Sequence, residues 1–379
     1  MIPKTLVSMV LVVMLMGLAS TWPNGAPASS PAAAANLAPQ VQVQVLATHL
    51  EIPWALAFAP DGRIFVTERP GRIRVIQNGQ LQADPWMTLD VATVGEGGLL
   101  GLALDPHFAD NHYVYVAYTY RTTGGGLGNR LVRLRDQAGK GVQDRVLLDG
   151  AAGGTFHDGG RVKFGPDGEL YYSLGEATVS QRSQDLASLN GKILRLNPDG
   201  SIPSDNPFPN SPVYAYGLRN PEGLVWQPGT GRLYATDHGP SGTPSCCHDE
   251  INYIQPGQNY GWPVIYGSQA QTGMVSPMIE SGPQVTWAPS GATFAAQGPW
   301  AGTLLFAGLR GEALYQLTLD PNDPSKAQGL QAWLQNEYGR LREVVEGPDG
   351  AFYLLTSNRD GRGSPVADDD RLLKLTVTQ

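Results

Sequence analysis

Gly165-Pro166-Asp167-Gly168-Glu169-Leu170-Tyr171-Tyr172 sets a tight polar turn directly before a run of strand-forming residues. The same phrase recurs as Ala59-Pro60-Asp61-Gly62 before Ile64-Phe65-Val66-Thr67, and as Gly347-Pro348-Asp349-Gly350 before Phe352-Tyr353-Leu354-Leu355-Thr356. Fainter copies open at Asp105-Pro106, Gln227-Pro228 and Gly298-Pro299. The anchoring prolines lie 46, 60, 62, 71 and 49 residues apart. Such periods suit a β-propeller blade with loops of varying length and exceed those of most helical solenoids.

A second repeat follows the first. Arg72–Ile76, Arg130–Leu134, Lys192–Leu196, Glu250–Ile254, Ala313–Leu317 and Arg371–Leu375 each alternate apolar with polar or basic residues, as half-buried strands do. Two strand signals per unit, six times, predict an all-β, six-bladed propeller of four-stranded antiparallel blades. The leading segment Val41–Leu46 is expected to pair with the last blade and close the ring, which removes exposed edges. Long loops then gather at one end of a central channel.

The repeat runs without a linker-like break, so residues 41–379 are read as one propeller domain. Gly 47 and Pro 30 in 379 residues fit a loop-rich β protein. Residues 1–20 read as a signal peptide, with Lys4 before the apolar run Leu6–Leu18 and cleavage near Ala19 or Ala35. Residues 21–40, rich in Ala, Pro and Ser, read as a disordered leader. Export to the periplasm or beyond follows, with no integral membrane segment after signal removal. A formal charge of −8 argues against nucleic acid or an anionic membrane as partner.

Chemistry concentrates between the repeats. His157, in Thr155-Phe156-His157-Asp158-Gly159-Gly160-Arg161, has an imidazole able to take a proton from a hydroxyl near neutral pH. A lone histidine more often satisfies a buried turn, so its company decides. That company is Arg219-Asn220 at another corner, Arg310 in a turn, and Arg340 with Arg342, which face alike at i and i+2. Arginines gathered in the loops of an acidic protein suggest a pocket for a small polyanion. The Gly-Pro loop at His238-Gly239-Pro240, with Asp249-Glu250 and Asn259-Tyr260, offers oxygen donors of the kind calcium uses, in no EF-hand spacing. The adjacent Cys246 and Cys247 allow a vicinal disulfide, a metal site with His248, or a plain loop feature. His49, His107, His112, His238 and His248 form no ligand pattern.

Taken together, His157-x-Gly159-Gly160-Arg161, Gly191-Lys192-Ile193-Leu194-Arg195-Leu196-Asn197, Leu218-Arg219-Asn220-Pro221, His238-Gly239-Pro240, Asp249-Glu250-Ile251-Asn252 and Asn259-Tyr260-Gly261-Trp262-Pro263 resemble the glucose/sorbosone dehydrogenase family of soluble quinoproteins, and within it the aldose sugar dehydrogenases. The resemblance covers roughly residues 45–377. It implies a six-bladed propeller holding pyrroloquinoline quinone (PQQ) and Ca²⁺, oxidising aldoses at C1 to lactones and passing electrons to a quinone, cytochrome or artificial dye. It implies His157 as general base and Arg219 as the residue over the quinone oxygens. Asn220, Thr286, Arg310, Arg340 and Arg342 match cofactor contacts. Main-chain oxygens of Gly239 and Pro240 match ligands of the catalytic calcium, and Glu250 and Tyr260 a second, structural one in some relatives. Three positions depart: Phe156 replaces an aspartate, Arg310 a lysine, and Glu96 a glutamine, which puts glucose preference in doubt. The alternatives are a non-catalytic sugar-binding propeller, which has no need of His157, Arg219, Arg340 and Arg342 together, and a calcium-dependent lactone hydrolase, whose converging ligand set is not seen.

Overall fold

The computed structural model describes residues 39–242 and 246–378. Six antiparallel sheets form a six-bladed β-propeller, as the repeat predicts. The inner strands are Pro53–Phe58, Leu99–Leu104, Val162–Phe164, Pro221–Trp226, Pro289–Phe294 and Leu341–Glu346. Each Pro-Asp-Gly phrase is the turn from an inner strand to the second strand of its blade. Gly62, Gly168 and Gly350 have φ of +85°, +82° and +76°, and their amides close the turn onto Ala59, Gly165 and Gly347. The turn aspartates accept the amide two residues on, at Arg63, Glu169 and Ala351.

The second repeat supplies the third strands, from Arg72–Gln77 to Leu372–Thr378. In the first blade the outer strand is split into Gln80–Leu81 and Met87–Thr88, both paired with Arg72–Gln77. Helix is confined to Phe108–Asn111, inside the faint repeat at Asp105-Pro106, and a single 3₁₀ turn at Ser180–Ser183, among the described residues. The leading strand Gln40–Ala47 pairs with Leu372–Thr378 from Gln40↔Thr378 to Ala47↔Leu372, so the first strand of the chain completes the last blade. The expected signal peptide and nearly all of the leader lie outside the described residues. Among the described residues, no helix is long and apolar enough to cross a membrane.

Period-two alternation builds the core. Leu170 and Tyr172 pack toward the preceding blade, while Tyr171 between them packs toward the next. Each of the six apolar clusters lies between two neighbouring blades, so no blade folds its core alone. Thr67, Ser173 and Thr236, near the ends of second strands, donate to main-chain oxygens of the next blade's inner strand at Leu100, Pro221 and Ser290.

The channel is plugged by paired charge. Arg161 and Glu343, both buried, form an ion pair, and Arg161 Nε donates to the Glu222 main-chain oxygen at 2.7 Å. Its guanidinium lies 4.2 Å from the Trp54 ring centroid. A second buried pair joins Glu222 to Arg342. Gly291 allows this, because a Cβ there would collide with Glu343 Oε1. Removing one partner of such a pair leaves an uncompensated buried charge. Glu343→Ala is therefore expected to lower unfolding free energy by about 3–5 kcal/mol, read by urea denaturation. An Arg161→Met/Glu343→Leu double variant is expected to regain most of the loss, and a single variant as stable as the parent would contradict the role given to the pair.

Candidate active site

Where the second strands end and the inner strands begin, loops enclose a cavity of about 400 Å³. His157, Arg219, Gly239, Pro240, Thr286, Arg310, Arg340 and Arg342 all line it, although they come from six separate segments of the sequence. Five guanidiniums (Arg219, Arg310, Arg340, Arg342, Arg362) face three carboxylates (Glu96, Glu222, Asp249) on its wall.

His157 is held from three sides. Its backbone has φ +65°, a conformation the flanking hydrogen bonds impose. Its N–H donates to Glu96 Oε2 at 2.9 Å, and its carbonyl accepts from Ala177. Nδ1 lies 2.7 Å from Glu176 Oε1, whose other oxygen accepts Trp262 Nε1–H at 2.9 Å. Burial pushes the Glu176 carboxyl up, but the bonds from His157 and Trp262 outweigh it and hold the group below the ordinary range. An ionised Glu176 fixes the proton on Nδ1, leaving Nε2 as the acceptor. Glu176 escapes a sequence reading because a single glutamate after a strand carries no local signature.

Asn220 is completely buried and does not line the cavity. Its amide oxygen accepts Gly159 N–H at 2.9 Å and its nitrogen donates to Glu222 at 3.1 Å, so it braces the His157 loop from beneath. Arg219 stands beside it, with Nη1 and Nη2 on His238 O and Ser241 Oγ and its guanidinium 5.4 Å from the Trp262 ring centroid. Asp237 receives both backbone amides, of Arg219 at 2.9 Å and Asn220 at 2.7 Å. Asp249 ties two further walls together. It accepts Gly239 N–H on one oxygen, and Thr286 Oγ1–H with the amides of Trp287 and Ala288 on the other.

The donor set suits a polyanion. Arg340 is clamped by Asp360 at 3.0 and 2.8 Å, and Arg342 by Glu222, so both forks are oriented before anything binds. Arg342 Nε is buried without a partner among the described residues, and Arg219 and Arg310 make no ion pair there. A flat molecule carrying several carboxylates would supply the missing anions.

Calcium has oxygen donors but no side-chain cage: among the described residues no cluster of three His, Cys, Asp or Glu side chains could hold a metal. Gly239 and Pro240 line the cavity, and main-chain carbonyls are hard donors of the kind Ca²⁺ prefers. Glu250 and Tyr260 do not line that cavity. The Tyr260 hydroxyl donates to Tyr253 O and accepts from Gln255 N–H, leaving only its main-chain oxygen for a cation. Glu250 is buried, accepting from Gly267 and Asn252, and burial pushes its carboxyl up to about 8. The cysteines are joined to each other, which removes the thiolates a metal site would need. Cys246 lines the cavity, and His248 faces Glu280 at 2.7 Å instead.

A propeller with an oriented imidazole and several guanidiniums around one cavity is suited to binding small polyanions. Comparison with known proteins makes the class definite. The family model described as Glucose / Sorbosone dehydrogenase matches residues 50–373. A solved Thermus thermophilus structure, provisionally described as a glucose dehydrogenase, shares 45% identity over 89% of this chain and all of that one, at a TM-score of 0.83. The PQQ-bound aldose sugar dehydrogenase of Streptomyces coelicolor shares 39% identity over 90% of this chain and 98% of that one, at a TM-score of 0.80. An aldose sugar dehydrogenase of Escherichia coli is 33% identical over 85% of this chain and 91% of its own length. The chain belongs to the glucose/sorbosone dehydrogenase family of quinoprotein oxidoreductases, as its motifs imply.

Glu250 yields a pH test. Its folded pKa, raised to about 8, makes the stability tied to it complete at low pH and progressively lost as pH climbs from the ordinary carboxylate range through 8. Unfolding midpoints in chelator are expected to fall across pH 5–8, and Glu250→Gln to flatten that slope. Added Ca²⁺ is expected to raise the midpoint at pH 8 in the parent and not in the variant. An unchanged slope in Glu250→Gln would rule the assignment out.

Proposed function

We propose that the chain is an exported PQQ-dependent aldose dehydrogenase oxidising the C1 position of aldoses to lactones. The observation that carries the reading is His157, held by Glu176 at 2.7 Å, on the wall of the same cavity as Arg219, Arg340 and Arg342. When bound, PQQ accepts the two electrons and the hydrogen lost from C1, and its calcium withdraws charge from the quinone. The protein supplies the rest. Arg340 and Arg342, with Arg310 and Thr286, hold the cofactor's carboxylates and edge. Gly239 and Pro240 give carbonyl oxygens to the calcium, while Glu250 and the Tyr260 main chain serve a second, structural ion.

His157 Nε2 takes the proton of the anomeric hydroxyl. Glu176 keeps the ring in the required tautomer and stabilises the imidazolium that forms. Arg219, on the same wall, would supply positive charge to the quinone oxygens of the bound cofactor. Asn220 acts from behind, fixing Gly159 and hence the His157 loop. Electrons then leave to a soluble or membrane acceptor. Residues 1–20 would direct export and be removed, leaving residues 41–379 as the catalytic propeller. A non-catalytic sugar-binding propeller would have no use for an imidazole oriented by a buried carboxylate.

Dye-linked activity on a panel of aldoses, before and after reconstitution with PQQ and Ca²⁺, tests the reading. Activity should appear on reconstitution and vanish with chelator. His157→Ala is expected to lose turnover by about 10²–10⁴-fold while retaining bound cofactor by absorption; near-normal turnover would end the assignment. Glu176→Gln is expected to lower kcat by roughly 10²-fold with little change in KM, since it disturbs the base and not the binding surface.

A further inference from the structure

Beside the main cavity lies an annex of about 160 Å³, walled by Arg69, Glu96, Phe156, Asp360 and Arg362. It shares Glu96, Phe156, Arg342 and Arg362 with the main cavity, so a molecule held at His157 can extend into it. Four loops meet here. Arg362 Nη1 pairs with Glu96 Oε1 at 2.6 Å, and its guanidinium lies 5.3 Å from the Phe156 ring centroid.

The charges of the annex do not balance. Asp360 is held by Arg340, Glu222 neutralises Arg342, and Glu96 answers Arg362. Arg69 makes no ion pair among the described residues, and the carboxylates that act on it from a distance, Asp360 and Glu96, are already engaged by Arg340 and Arg362. Arg69 is 6% exposed, and its Nε and Nη2 donate only to the carbonyl oxygens of Gly97 and Gly95. Its Nη1 is left without a hydrogen-bond partner there and is not sealed from solvent-accessible space. A buried guanidinium whose hydrogen bonds all go to neutral carbonyls still gains from an anion placed against its free edge. Next to it Phe156 is 39% exposed, and the part of its ring not covered by Arg362 is a surface on which the C–H side of a sugar ring can lie.

We propose that the annex is a subsite for a carboxylate on the substrate, so that the preferred aldoses are uronic acids. The reducing carbon stands at His157, the ring lies against Phe156, and the acid group sits between Arg69 and Arg362. A planar carboxylate fits two guanidinium forks, and Arg362, half exposed at the rim, can turn toward it while keeping its contact with Glu96. The acid group is bound and not transformed. The subsite rests on the proposed aldose dehydrogenase reading for the position of C1, but it can be tested by binding alone.

Methyl glucuronoside and methyl glucoside have no free anomeric hydroxyl, so neither is oxidised, and they differ only in the acid group. Titration calorimetry on the protein reconstituted with PQQ and Ca²⁺ is expected to give the glucuronoside about tenfold tighter binding. In Arg362→Gln the ratio is expected to fall toward one. Arg69→Gln should act likewise, but Arg69 also ties down the loop carrying Glu96, so the rim variant is decisive. Equal or weaker binding of the glucuronoside, or a preference unchanged in Arg362→Gln, would overturn the subsite. A parallel dye assay on glucose and glucuronate separates the two readings. Turnover of neither sugar, whatever the binding ratio, would count against the dehydrogenase reading, whereas turnover of glucose without preference for glucuronate would count against the subsite alone.

Discussion

A guanidinium cannot be buried in the axis of a propeller without an anion to answer it, and this constraint organises the molecule from the channel outward. Arg161 meets Glu343 across the ring, and Arg342 meets Glu222, with Trp54 against both guanidiniums. The residues come from inner strands of different blades or the segments entering them, so neither pair exists until the ring has closed. Mutual attraction in a low-dielectric interior then offsets the desolvation of four charges. The apolar clusters between blades hold neighbours together; the paired charges tie opposite sides to one another.

Toward the mouth the same logic changes sign. Carboxylates there serve chiefly as acceptors for backbone amides: Asp237 for Arg219 and Asn220, Asp249 for Gly239, Trp287 and Ala288, Glu96 for His157. Burial raises the Glu96 carboxyl, but the His157 amide and Arg362 more than compensate and bring it down to about 2. These acceptors pin loops whose own residues would not hold their shape. Their positive counterparts are left with guanidinium edges facing the cavity, which therefore carries a standing demand for anions. A cofactor with several carboxylates would answer that demand in the main cavity, and Arg69, which makes no ion pair among the described residues, carries it to the edge of the annex.

The architecture was legible because it is local and repeated. Each Pro-Asp-Gly phrase specifies its turn through proline's fixed φ, an aspartate bonding its own backbone and a glycine at positive φ, and each strand declares its two faces by alternation. Even the closing strand could be read, since residues 41–46 alternate and have no other blade to join. His157 and the arginines were legible by type and by family motif. Their supports were not. Glu176 and Glu222 are single acids near strand ends with no spacing to mark them, and Asp249, legible as an oxygen donor, instead ties backbone amides of two loops together.

Sequence alone determined the six blades, the end of the channel where chemistry gathers, and the family, because turns, alternation and motifs are written over a few adjacent residues. Tertiary structure decided which side chains act together. It set Glu176 behind His157, turned Asn220 from the cavity into the scaffold, separated Glu250 and Tyr260 from the main site, joined Cys246 to Cys247 and left Arg69 beside Phe156 and Arg362. Charge pairing, burial and hydrogen-bond partnership depend on distances across the ring, and those come into being only when six separate blades converge on one axis.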